Sequence, residues 1–149
     1  MAVKEITPQQ AHDTLQADTN AVYIDVRTDR EFAAGHPERA VNIPVAFPDP
    51  NRGMVMNPEF VKVVEGNFPK DKKIIVGCQA GPRSTAAAGL LEKAGYQDVS
   101  NMLGGFGGMR DPSGRVINPG WSSSGLPVSQ DNGEGVSYES LKDKLKIQN

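Results

Sequence analysis

Residues 21–26, AVYIDV, are β-rich and apolar almost without a break until Asp25, the pattern of a strand covered on both faces rather than of a half-exposed hairpin strand. Such a strand demands helices on both sides, and the surrounding chain offers them. Thr7 and Pro8 read as an N-cap and a first helical position, with Ala11 and Leu15 as an apolar i, i+4 pair in a helix over about 8–16. Residues 28–34 read as a short capped helix stopped by Gly35, and 40–43 as a second strand that Pro44 cuts off. The stretch 45–57, punctuated by Pro48, Pro50 and Gly53, reads as a surface loop and a candidate docking surface. Asn57 and Pro58 open a helix in which Phe60, Val61, Val64 and Phe68 share a face. Residues 74–76 form a short strand ending at Gly77 and Cys78, an alanine-rich helix follows over 83–94 with Gly95 as its stop, and 99–103 is a last strand. Strands separated by helices imply βαβ units. The expected fold is therefore α/β, a central parallel sheet of about five strands with helices on both faces. One domain is expected over 1–149, with its core over about 4–127 and a polar linker plus C-terminal helix over 128–149.

Length and composition narrow the function. A chain of 149 residues can bury one sizeable core. With 16 Lys plus Arg against 18 Asp plus Glu, no strong field draws in phosphate backbones or anionic lipid, so neither nucleic acid nor a membrane is an expected partner. The single cysteine, Cys78, cannot form an internal disulfide, a thiolate zinc site or a resolving pair, and His12 and His36 are the only histidines. No metal and no cofactor is expected. The longest apolar stretches fall far short of the roughly 20 residues of a spanning helix, and the opening MAVKEITPQQ lacks a signal-like apolar region. The expected location is cytoplasmic. The cluster GGFGG does not complete a dinucleotide fingerprint, because Arg110 stands where the third glycine belongs.

In parallel α/β folds ligands bind outside the carboxyl ends of the strands, and Cys78 is at such an end. The segment Gly77-Cys78-Gln79-Ala80-Gly81-Pro82-Arg83-Ser84 joins a buried strand to a helix N-terminus. A turn of this kind gathers backbone N–H groups around one concavity, and the helix adds its own unpaired donors and positive dipole end. An ordinary cysteine is mostly protonated at neutral pH, whereas these surroundings favour the thiolate. Arg83 is the nearest cation and could also hold an anionic substrate by bidentate bonds. The bland alternative is a buried cysteine acting as a small hydrophobe.

The motifs together resemble those of a single-domain rhodanese, a sulfurtransferase module. YIDVRTDREFAAGHPERAVNIP, over 23–44, is similar to the family's first signature, CQAGPR to its active loop, and LGGF from Leu103 to its glycine pair after the last strand. The resemblance spans about 6–127. It implies a catalytic Cys78 that attacks the outer sulfur of a donor such as thiosulfate, releases sulfite and holds the sulfur as a persulfide, which a thiol or cyanide acceptor then removes. Gln79, Ala80, Gly81, Pro82 and Arg83 would form the persulfide cradle, Pro82 without an N–H to give. The implied partners are a small-molecule sulfur donor and acceptor and a possible sulfur-relay protein.

Asp25 and Arg27 read as a structural ion pair near the site, because a carboxylate beside a thiolate would oppose its ionisation. Glu31 and His36 read as support for the same corner. Two alternatives stay open: a non-enzymatic persulfide carrier or docking module, and a cysteine-dependent phosphatase or arsenate reductase. The latter class places five residues between Cys and Arg, so that a phosphoryl group's three equatorial oxygens are bonded, whereas four separate Cys78 from Arg83. The chain also departs from the family pattern. Arg39-Ala40 stands where Gly-Ala is common, Met109 where a tryptophan is common, and an insertion over 107–121, in which Trp121 follows the inserted turn, is expected to reshape one rim of the pocket.

Overall fold

The computed structural model describes residues 3–80 and 82–147, with the side chains of 145–147 excepted. Strands β1 (Lys4–Ile6), β2 (Val22–Asp25), β3 (Ala40–Asn42), β4 (Lys73–Gly77) and β5 (Asp98–Met102) form one sheet in the order β1-β5-β4-β2-β3. Every pairing is parallel, and Asp25 of β2 stands level with Gly77 of β4. The helices are α1 (Pro8–Ala17), α2 (Asp29–Ala34), α3 (Phe60–Asn67), α4 (Pro82–Lys93) and α5 (Tyr138–Ile147).

Two apolar layers sandwich the sheet, as the continuous burial of β2 requires. On one face Ile24, Ile74 and Val76 meet Val63 and Val64 of α3, Ala87, Ala88 and Leu91 of α4 and Leu141 of α5. On the other, Tyr23 and Ile75 meet Ala11 and Leu15 of α1, Phe32 of α2 and Trp121. The alanines of α4 present little bulk, which lets that helix lie close to the strand that delivers Cys78. Both α1 and α2 begin with a reciprocal capping box, Thr7 with Gln10 and Thr28 with Glu31, so their starts are fixed by local sequence.

The segment 45–57 differs from the expected loop. It folds into an antiparallel hairpin of Ala46–Asp49 and Gly53–Met56. Asp49 Oδ1 accepts from the N–H groups of Asn51 (2.8 Å) and Arg52 (3.1 Å), and Gly53 takes a left-handed φ of 75°. Proline is tolerated in a two-stranded ribbon because the ribbon has free edges, and for that reason Pro48 and Pro50 mask the strands in the sequence.

The chain after residue 127 is polar and ends in a helix, and it docks on the body. Val128–Ser129 pairs antiparallel with His36–Pro37, Asn42 N–H donates to the Val136 carbonyl at 2.9 Å, and Leu141 is buried. The packed unit thus extends past the expected core limit. Arg39 adopts a left-handed φ of 74°, a conformation that suits glycine and accounts for the residue usual there in the resembling family. Its guanidinium donates to the Leu15 carbonyl in the last turn of α1, an anchor that a glycine would lack.

Candidate active site

Cys78 follows β4 directly and its side chain is buried, 1% exposed. Gly77 before it has no room for a side chain, since a Cβ there would fall 1.7 Å from the Tyr23 hydroxyl. Ser84, in the first turn of α4 and fully buried, places its Oγ 3.5 Å from Cys78 Sγ. The carbonyls of Cys78 and Gln79 both accept from the glycine segment, from Phe106 N–H at 2.7 Å and Gly107 N–H at 2.9 Å. In a trans peptide the N–H of the next residue points opposite to the carbonyl, so these two bonds turn the N–H groups of Gln79 and Ala80 away from the glycine segment. The approach is close enough to exclude side chains, a Cβ on Gly105 falling 2.3 Å from the Cys78 carbonyl oxygen.

Two ion pairs frame the loop. Arg27 grips Asp25 in bidentate fashion, Nε to Oδ1 at 3.0 Å and Nη2 to Oδ2 at 2.8 Å, with both side chains buried. The same guanidinium donates to the Gly35 carbonyl at 2.7 Å and to Gln79 Oε1 at 3.3 Å, and lies 4.5 Å from the centre of the Phe106 ring. Arg27 thereby joins β2, α2, the cysteine loop and the glycine segment. Arg83 grips Glu31 through Nη1 and Nη2, at 2.7 and 3.0 Å. The hydrogen bonds from Arg83 hold the Glu31 carboxyl well below the usual carboxylate range, at about 2, and Glu31 in turn raises Arg83.

The sequence-nominated residues fall into two groups. Cys78, Gln79, Ala80, Pro82, Arg83, Asp25, Arg27 and Glu31 gather at the carboxyl end of β2 and β4, while Gly81 lies outside the described residues. His36 supports the corner from behind. It stacks flat on Phe32 with ring centroids 3.7 Å apart, its ring nitrogens against the carbonyls of Pro37 (3.0 Å) and Asp131 (2.7 Å). Ser84, Asn42, Gly105 and Gly107 are site residues that sequence reasoning passed over. Asn42 Nδ2 donates to the carbonyls of Asp25 and Arg27, both at 3.0 Å, and so fixes the end of β2. Its signal was the AVNIP motif, and that of the glycines was the GGFGG cluster, neither of which names a contact.

The insertion forms a ribbon, Met109–Arg110 against Val116–Asn118, and returns so that Trp121 N–H donates to the Gly105 carbonyl at 2.9 Å. Met109 and Asn118 line a cleft of about 220 Å³ together with Ala80, Pro82 and Thr85, which gives the inserted ribbon one wall beside the cysteine loop. A larger hollow of about 390 Å³, lined by Asp18, Lys72, Lys73 and Asp98, lies at the amino ends of the strands, away from the thiol.

The rhodanese-like domain family matches residues 7–111. Thiosulfate sulfurtransferase 16, chloroplastic, of Arabidopsis thaliana is 38% identical over 121 residues, covering 79% of this chain and 86% of that protein. Thiosulfate sulfurtransferase GlpE of Haemophilus influenzae is 36% identical over 129 residues, covering 86% of this chain and 96% of that protein. The match to senescence-associated protein DIN1 of Raphanus sativus, 37% identical over 108 residues, covers 72% of this chain and 52% of that protein, so the chain spans about half the length of that relative. Among solved structures, that of Rv0390 from M. tuberculosis superposes with a TM-score of 0.73 at 30% identity, covering 88% of this chain and 100% of the other. Among the described residues no helix is long and apolar enough to cross a membrane.

Proposed function

The chain belongs to the rhodanese-like domain family, and on that premise we propose that it is a sulfurtransferase that moves a sulfane sulfur from thiosulfate or a related donor to a thiol or cyanide through a Cys78 persulfide. The observation that carries this reading is the seat of Cys78: a buried sulfur at the carboxyl end of a central parallel strand, with the carbonyls of Cys78 and Gln79 held by the glycine segment and α4 beginning at Pro82. The thiolate attacks the outer sulfur of thiosulfate, the S–S bond breaks, and sulfite leaves with the electron pair. The persulfide anion then rests among the amides of Gln79, Ala80 and Arg83, Pro82 giving none, and gains from the positive end of the helix. Arg83 takes the donor's anionic oxygens in exchange for Glu31, and Asp25, Arg27 and His36 hold the walls. This chain contains one thiol, so the sulfur leaves to an external acceptor rather than to an internal resolving cysteine. The short loop, four residues between Cys and Arg, suits one sulfur atom better than a phosphoryl group. A reducing, cytoplasmic setting belongs to the same proposal, since it keeps Cys78 available.

Intact-mass measurement after incubation with thiosulfate tests this. One sulfur atom is gained on Cys78 and lost to cyanide as thiocyanate, and Cys78→Ser gains none. Failure of the protein to load from thiosulfate, with loading from a persulfidated protein, assigns it instead to sulfur carriage.

A further inference from the structure

Ser84 is the third residue of α4 and has no solvent exposure. Helical side chains point back toward the helix N-terminus, which is why a residue in the first turn reaches the loop that precedes it. Packing needs only a small side chain at this position, and alanine occupies the comparable buried positions 87 and 88. What serine adds is a hydroxyl 3.5 Å from Cys78 Sγ. A hydroxyl both donates and accepts. While the thiol is protonated, S–H donates to Ser84 Oγ; once the proton is gone, the hydroxyl can turn and donate to the sulfur anion. Because Sγ is shut off from solvent, a neighbouring donor there has more weight than it would in water.

We propose that the Ser84 hydroxyl stabilises Cys78 Sγ as a leaving thiolate, so that it governs discharge of the persulfide more than its formation. This rests on the persulfide reading of Cys78. In discharge, cyanide or an acceptor thiolate forms a bond to the outer sulfur, the S–S bond breaks, and its electron pair retires onto Sγ. The outer sulfur departs as thiocyanate or as the acceptor's persulfide, and no proton is required. Negative charge therefore grows on the atom that Ser84 faces. In loading the charge moves the other way, off Sγ and onto departing sulfite, and a donor at Sγ gives no such help. Tyr23 from β2 and Arg83 from α4 also act on Cys78 electrostatically. Together with Glu31 and the Asp25–Arg27 pair they are unchanged when serine becomes alanine.

The test separates the two half-reactions in single turnovers. Ser84→Ala is expected to slow cyanide discharge of the preformed persulfide by about tenfold, as loss of a hydrogen bond to a charged atom implies, while loading from thiosulfate, which begins from the thiolate as alkylation does, falls less than discharge and no further than alkylation. Alkylation by iodoacetamide at neutral pH, which reads the thiolate without any sulfur chemistry, is expected to slow as well, and Ser84→Thr, which restores a hydroxyl, to recover discharge. Discharge and alkylation within twofold of the parent overturn the proposal, as does an equal loss in both half-reactions with unchanged alkylation. Should the parent protein fail to load sulfur at all, the persulfide reading falls, and unchanged alkylation of Ser84→Ala then overturns the hydroxyl contact on its own.

Discussion

Arg83 and Glu31 meet as a two-pronged ion pair, Nη1 on Oε1 at 2.7 Å and Nη2 on Oε2 at 3.0 Å. Glu31 Oε1 also accepts from the Thr28 N–H at 3.1 Å, so one carboxylate caps α2 and holds the cation at the start of α4. The guanidinium proposed to hold an anionic donor is thus paired with an internal anion through two of its five N–H groups, so on that proposal Glu31 competes with the donor for it.

Removing the competitor should show this directly. Glu31→Gln keeps the shape and the capping acceptor but not the charge, and kcat/KM for thiosulfate is expected to rise severalfold, through KM. Arg83→Ala is expected to lower kcat/KM, and the double variant to resemble Arg83→Ala. Steady-state kinetics on the three variants decides the matter; a drop in kcat/KM for Glu31→Gln would show that the pair acts as a fixed brace.

The same pair sets an acid limit. The folded Glu31 carboxyl is held at about 2, below its ordinary value of 4.5, so the folded state releases this proton more readily than the unfolded chain. The stabilisation is complete above about 4.5 and is lost as pH falls toward about 2. Urea unfolding of the parent and Glu31→Gln is expected to show a stability gap that is constant from pH 7 to 5 and closes on further acidification.

Two glycines should respond in opposite senses to alanine. Gly105 has a φ of 60°, and a Cβ would meet the Cys78 carbonyl oxygen at 2.3 Å and Gln79 backbone atoms at 2.7 Å. Gly105→Ala is expected to cost about 3 kcal/mol and to impair sulfur loading, because the loop must shift. Gly89, inside α4, would place an added Cβ with nothing within 4 Å and has no positive φ, so Gly89→Ala is expected to stabilise by about 0.5–1 kcal/mol without touching activity. Thermal melts beside loading assays check both.

Trp121 is fully buried against Tyr23 and His12, and its indole N–H donates to the Pro127 carbonyl at 2.7 Å. Trp121→Ala is expected to destabilise by about 3–5 kcal/mol through the cavity it opens, and Trp121→Phe by less, chiefly through the unpaired carbonyl. Chemical denaturation measures both, and a cost below about 1 kcal/mol for alanine would mean that the insertion collapses to fill the space.

Much of the fold was legible because it is locally encoded. Thr7 with Gln10 and Thr28 with Glu31 mark helix starts by bonds between residues three apart, and the continuous apolar run of β2 requires cover on both faces. The hairpin at 46–56 was hidden because its prolines carry the same signal in a loop and at a ribbon edge.

The site divides along the same line. Cys78 at the end of β4, the helix start behind it and the lone thiol in this chain follow from sequence, since each depends on neighbours along the chain or on a count. The sequence also contains Arg83, Glu31, Gly105 and Ser84, but not their relations. Strand order and register bring α2 to α4 and lay the glycine segment on the cysteine loop, and the helix phase turns Ser84 toward the sulfur. Hydrophobic periodicity specifies which face of an element is buried, not which partner it meets, so only the tertiary structure decided that the loop's cation is held by an internal carboxylate and its sulfur faced by a hydroxyl.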